Sequence, residues 1–107
     1  MIKVTYHRNY HRVTVDGHAN SGEAGHDLVC AGASALTYTL AANVTNLASN
    51  GHVRIESMEL SPGKAEICCK PRSGARATVG LVYQAVCVGF EILARDYPQY
   101  ICYEILG

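Results

Sequence analysis

One histidine and one cysteine stand at the two ends of a single glycine-containing segment, with Gly17-His18-Ala19 at the front and Asp27-Leu28-Val29-Cys30-Ala31-Gly32-Ala33-Ser34 behind. A thiol and an imidazole are the minimum inventory of a cysteine nucleophile with its base. The intervening Asn20-Ser21-Gly22-Glu23-Ala24-Gly25-His26 is polar and carries two glycines. It reads as a loop between a strand ending near His18 and a helix beginning near Asp27, so that His18 and Cys30 can meet in space.

The helix start sharpens this expectation. Asp27 is a residue of N-cap type, and a helix capped there puts Cys30 at its third position, in the first turn. Unpaired N–H groups and the positive end of the helix dipole then favour a thiolate, and the same N–H groups can hold an oxyanion. A charged Asp27 opposes this by raising the thiol pKa, so an adjacent imidazolium, for which His18 is the natural candidate, has to outweigh it. The bland alternative is that Cys30 is a small apolar residue opening a buried helix.

The chain has 107 residues, enough for one core, and is read as a single domain over 1–107. Half its residues are apolar and 17% charged, which points to a folded protein. Nine basic and nine acidic side chains cancel, so no overall field draws it to nucleic acid or to an acidic membrane, although a local patch is compatible with that balance. Neither a signal-peptide pattern nor a membrane-length apolar run is apparent, and a cytoplasmic location is expected. The five cysteines lack C-x-x-C spacing, so neither a disulfide framework nor a metal site is expected, and no cofactor is implied. Cys69 is expected inside and Cys68 on the opposite face, with Cys87 and Cys102 as small apolar filler.

The elements that must position the pair follow from periodicity. Ile2, Val4 and Tyr6, then Val13 and Val15, alternate with polar residues and read as two half-buried strands turning at Arg8-Asn9-Tyr10. Val29, Ala33, Leu36, Leu40, Val44 and Leu47 recur at helical spacing from Leu28 to about Ala48, with Asn50-Gly51 as the stop. Val53 to Leu60 and Ala65 to Lys70 flank Ser61-Pro62-Gly63 as a second hairpin. In its first strand the apolar parity changes near Glu56-Ser57, the mark of a bulge. Arg76 to about Asp96 is a second helix that Pro98 stops from continuing, and Tyr100 to Leu106 is a last strand. The order β-β-α-β-β-α-β predicts an α+β two-layer fold: a largely antiparallel five-stranded sheet with two helices on one face. Ala77, Gly80, Ala85 and Gly89 suit either a homodimer through the helical face or tight packing on the sheet.

The residues Gly17-His18-Ala19, Asp27-Leu28-Val29-Cys30-Ala31 and Ser34, in a strand-first chain of this length, resemble the ribosomal-processing cysteine protease family, Prp. The resemblance implies a cytoplasmic bacterial endopeptidase, usually homodimeric, without cofactor. It implies a substrate as well, a short N-terminal extension on the twenty-seventh large-subunit ribosomal protein, ending in apolar and aromatic residues before the cut. It assigns the nucleophile to Cys30 and the general base to His18, with Asp27 and Ser34 in support. Where the family commonly has an aromatic residue after Gly-His-Ala, this chain has Asn20-Ser21-Gly22.

The segment Asn20, Ser21, Gly22, Gly25 and His26 is then expected to open for a peptide and close over it. His26 competes with His18 as base, whereas His7, His11 and His52 fall near turns and strand ends, where solvated imidazole is expected. Two rivals remain from the sequence: a non-catalytic ribosome-assembly module that binds a protein tail, and a thiol hydrolase of small thioesters. Direct binding to nucleic acid is not expected from the net charge, and no membrane partner is.

Overall fold

The computed structural model describes residues 1–17 and 24–107, the side chains of 24–27 excepted. Strand β1 (Ile2–His7) passes through a 3-10 turn at Arg8–Tyr10 into β2 (Arg12–Asp16). Helix α1 (Ala24–Ser49) leads to the hairpin β3 (Val53–Ser61) and β4 (Lys64–Pro71), followed by α2 (Arg76–Asp96) and β5 (Ile101–Leu106). The five strands form one sheet in the order β3-β4-β2-β1-β5. Three neighbouring pairs are antiparallel and β1–β5 is parallel, so the sheet is mixed and largely antiparallel, as expected.

The predicted irregularity in β3 is present as a register shift between Ile55 and Ser57. One extra residue there lets Val53 and Met58 both join the core despite their odd spacing. Alternation does the rest: Val4, Val13, Ile67 and Ile101 are buried on the helix-covered face, and Lys3, Thr14, Glu66 and Glu104 occupy the other parity.

Both helices contribute apolar stripes to this core: Val29, Ala33, Leu40 and Val44 from α1, and Val79, Tyr83, Val86 and Phe90 from α2. By length and composition alone, Leu28–Ser49 and Arg76–Asp96 are apolar enough to cross a membrane, which corrects the expectation that no such run exists. In this fold their stripes meet the sheet and each other. A Cβ on Gly89 would lie 2.5 Å from Cδ2 of Leu36, and one on Gly32 would lie 3.2 Å from Cδ1 of Leu93. The small residues at 32 and 89 therefore serve close packing between α1 and α2, and Gly89 meets the other helix of the same chain rather than the sheet.

Two other expectations are corrected. His11 is not solvated: it is 5% exposed, holds a positive φ of 48°, and sets its ring edge-on to Tyr83 at a centroid distance of 5.8 Å. Burial, with Arg76 nearby, lowers its pKa. Cys102 is not core filler but is exposed on β5. Cys87 is buried in α2, and Cys69 points into the core beside the Tyr83 hydroxyl at 3.5 Å. Cys68 takes the opposite parity yet is also buried, because the 3-10 turn folds over it and its thiol meets the Tyr10 carbonyl at 3.5 Å.

Candidate active site

At the end of the sheet where β1 begins and β2 finishes, the β3–β4 turn and α1 enclose an open cleft of ≈ 280 Å³. Cys30, Ala33, Ser34, Thr37 and Tyr38 of α1 form one wall, and Ile2, Val15 and Gly17 form the floor. Leu60, Ser61, Gly63 and Lys64 close the far side. Backbone pairing builds this arrangement. Asp16 is in register with Lys64, and the Gly17 N–H continues the ladder by donating to the Gly63 carbonyl at 2.9 Å.

Gly17 is needed for its backbone. Its φ is +117°, and a Cβ there would run into the Met1 carbonyl oxygen. The chain thus turns sharply out of β2 immediately before His18.

Cys30 is half-buried, packed against the core on one side and open to the cleft on the other. Ser34 follows one turn later on the same wall. Elsewhere on α1, hydroxyls bond back one turn: Thr37 donates to the Ala33 carbonyl at 2.7 Å and Thr45 to that of Ala41 at 2.8 Å. Ser34 makes no such back-bond among the described residues.

The remaining thiols are poor competitors. Burial raises the pKa of Cys68, of Cys69, and of Cys87, whose thiol is pushed up to about 11. Exposed Cys102 stands on β5, at the sheet edge beyond β1 and away from this cleft.

The other predicted site residues are placed less completely. His18, Asn20, Ser21 and Gly22 lie outside the described residues. The backbone of Gly25, His26 and Asp27 belongs to the first turn of α1, and their side chains lie outside the description. The predicted helix start at Asp27 is therefore corrected: α1 begins at Ala24, and Asp27 is inside it rather than capping it. Cys30 falls in the second turn, where its N–H is directed at the carbonyl four residues back and is no longer an orphan donor. The first-turn N–H groups, for which a helix has no intrahelical carbonyl, belong to the residues just ahead of it.

Sequence reasoning missed Tyr38, Leu60 and Gly63 as cleft residues. Tyr38 and Leu60 are exposed large side chains, 60% and 40% respectively, that rim the opening. The Ser61-Pro62-Gly63 turn was legible as a turn, but its approach to Gly17 depends on the non-local β2–β4 pairing. Among the described residues, no group of three His, Cys, Asp or Glu side chains is placed to hold a metal.

A free thiol on a helix, open to a cleft with both apolar and polar walls, is equipment a thiol hydrolase can use. Comparison with known proteins gives that class a family. The family model described as Cysteine protease Prp matches residues 1–102, and the chain belongs to this family of cysteine proteases. The ribosomal processing cysteine protease Prp of Staphylococcus aureus is 29% identical over 99 residues, covering 83% of this chain and 80% of that protein. Two crystal structures share the fold. That of SMU.848 from Streptococcus mutans matches with a TM-score of 0.68 at 25% identity, over 98% of this chain and 91% of the other. The S. aureus Prp structure with a covalently linked product peptide matches with a TM-score of 0.69 at 25% identity, over 98% and 97%.

Proposed function

We propose that the protein is a cytoplasmic endopeptidase, acting as a single domain, that trims the N-terminal extension of the twenty-seventh large-subunit ribosomal protein with Cys30 as nucleophile and His18 as general base. The observation that carries this reading is the position of Cys30: it lines the cleft whose floor includes Gly17, the residue before His18, whereas Cys68, Cys69 and Cys87 are buried and Cys102 is exposed away from that cleft. A relative crystallised with a covalently linked product peptide supports a covalent route in the family.

In this mechanism His18 takes the Cys30 proton, and the thiolate attacks the scissile carbonyl to give a tetrahedral oxyanion. Protonated His18 then donates to the departing amine as the C–N bond breaks, leaving a thioester on Cys30. Water attacks that thioester, His18 accepts its proton, and the new carboxyl end leaves as the thiol re-forms. Gly17 cannot supply an oxyanion donor, because its N–H is committed to Gly63. That role falls to backbone N–H groups between His18 and the start of α1. Ser34 supports the thiol or the bound peptide from one turn below, and Asp27 acts on the dyad from the first turn of α1. The segment with Asn20, Ser21, Gly22, Gly25 and His26 gates the cleft.

Tyr38, Leu60, Ile2 and Val15 give the cleft an apolar character that suits apolar and aromatic residues before the cut. A homodimer would form through the outer face of α2, where Leu81, Val88 and Ile92 are 66%, 46% and 42% exposed beside Ile105 of β5.

Mass spectrometry of the host ribosomal protein, extension included, tests the reading after incubation with wild-type protein and with Cys30→Ala and His18→Ala. One defined cut, lost in both variants, is expected. An intact substrate with folded wild-type protein rejects the proposal in favour of a binding module. Activity that survives His18→Ala transfers the base to His26.

A further inference from the structure

We propose that the end of the molecule opposite the Cys30 cleft is a seat for single-stranded RNA. The zero net charge conceals a segregation of charge. Of the nine Lys and Arg side chains, Arg8, Arg12, Arg54, Lys70, Arg72 and Arg76 gather at one end. There β1 finishes, β2 and β3 begin, β4 runs out and α2 starts.

Two clefts cross this end and share Lys70 and Pro71. One, of ≈ 310 Å³, has Tyr10, Arg12, Lys70 and Arg76 in its lining, and the other, of ≈ 280 Å³, has Arg54, Lys70 and Arg72. Glu56 is the sole carboxylate lining either of them, and its pair with Arg54 is a 4.0 Å contact between two exposed side chains. Such a pair contributes little; Arg8 donates to the Gly107 carbonyl oxygen at 2.7 Å, and Arg12, Lys70, Arg72 and Arg76 have no carboxylate ion-pair partner among the described residues.

Three features select a nucleic-acid strand over a simple anion or an acidic peptide. Four of the five cations in the two clefts are guanidinium groups, whose forks match phosphate oxygens in pairs. Tyr10 is 67% exposed in the same lining, and an exposed ring among cations is a stacking platform for a base. An acidic peptide offers the carboxylates without the π-face. Finally, the buried Nε of Arg12 has no hydrogen-bond partner among the described residues, and the side-chain hydrogen bond that its guanidinium makes is to the Cys68 thiol rather than to a carboxylate. The first turn of α2 adds to the field, since its cap residue Ala75 has no side-chain acceptor for the free N–H groups.

The choice of RNA rather than DNA rests on the ribosomal reading given above. RNA of the substrate particle would sit on this end while a protein tail enters the cleft at the other. A labelled single-stranded RNA of about a dozen nucleotides, followed by fluorescence anisotropy with the full chain, tests the proposal at about 50 and 200 mM salt. Saturable binding that weakens as salt rises is expected. The double variant Lys70→Glu/Arg72→Glu should lose affinity by roughly tenfold or more, and Tyr10→Ala by roughly fivefold, the latter with the salt slope unchanged. Arg95→Glu, at the other end of α2, should bind as wild type. Absence of saturable binding at low salt overturns the proposal, as does indifference to these changes or competition by polyglutamate as effective as by RNA. Cleavage of a short extension peptide involves no RNA, so failure of that assay rejects the protease reading and leaves the binding result standing.

Discussion

Cys30 and Ser34 stand one turn apart on α1 and face the same cleft, with the Ser34 hydroxyl free of the back-bond that Thr37 makes. A hydroxyl without a hydrogen-bond partner among the described residues can serve the bound peptide or the thiol. Cys30→Ala should lower peptidase turnover on the order of a thousandfold or more, and Ser34→Ala by a few-fold to about tenfold without moving the melting temperature. A Ser34→Ala protein that melts earlier but cleaves normally would make the residue structural.

The thiols should divide by burial. Cys30 and Cys102 should react with a small disulfide reagent in the native protein, and Cys68, Cys69 and Cys87 only on unfolding. Thiol counting before and after denaturant checks this, and a peptide substrate should protect Cys30 alone.

Gly89 and Gly80 lie on the same helix but should respond oppositely to alanine. At Gly80 nothing lies within 4 Å of an added Cβ, so Gly80→Ala should stabilise by about 0.5–1 kcal/mol through helix propensity. At Gly89 the same gain is opposed by the Leu36 methyls, and crowding of this kind costs about 1–3 kcal/mol, so Gly89→Ala should destabilise. Urea unfolding of both variants, and of Gly89→Ala combined with Leu36→Val, should show coupling at the second site only.

The contrast between these two glycines also shows what the chain discloses by itself. Local periodicity revealed every strand and both helices, and even the β3 bulge was visible as the change of parity between Ile55 and Met58. The partner of each glycine is a tertiary fact, and spacing along α2 could not distinguish Gly80 from Gly89. The same limit applies at the site. Cys30 and Ser34 were legible because four residues on a helix share a face, but the opposite wall at Leu60 and Gly63 arrives through β2–β4 pairing. The start of α1 was misread because Asp27 is a good cap and the preceding Ala24-Gly25-His26 carries a glycine, yet the helix continues through it.

Acid should weaken the fold through His11. Its folded pKa is lowered by burial and by Arg76, so the unfolded chain binds the proton more readily. The resulting stability is fully present above the unfolded value near 6.5 and is lost as pH falls through the window down to the folded value. His11→Asn removes the titration while tolerating the left-handed backbone, so its urea midpoint should vary less between about pH 7.5 and 5 than that of wild type. Equal slopes would exclude His11 as the source.

Gly17→Ala should damage both stability and catalysis. The positive φ and the approach of the Met1 carbonyl leave no room for a methyl, and strain of this type costs about 1–3 kcal/mol. Relief would pull Gly17 from Gly63 and misplace the residue that follows it, so turnover should fall more than the loss of folded protein explains. Peptidase assays normalised to folded fraction measure that excess.

The parallel pairing of β1 with β5 ties the first strand to the last. Ile2 forms part of the cleft floor, and its N–H donates to the Tyr100 carbonyl at 2.8 Å as it comes into register with Ile101. This floor is thus held by a contact that spans nearly the whole sequence, the kind that closes late in folding because the intervening loop must first be ordered. A chain in which β5 is undocked lacks the backbone partner of β1, so the Ile2 part of the cleft floor is complete only once these two sequence-distant strands have paired.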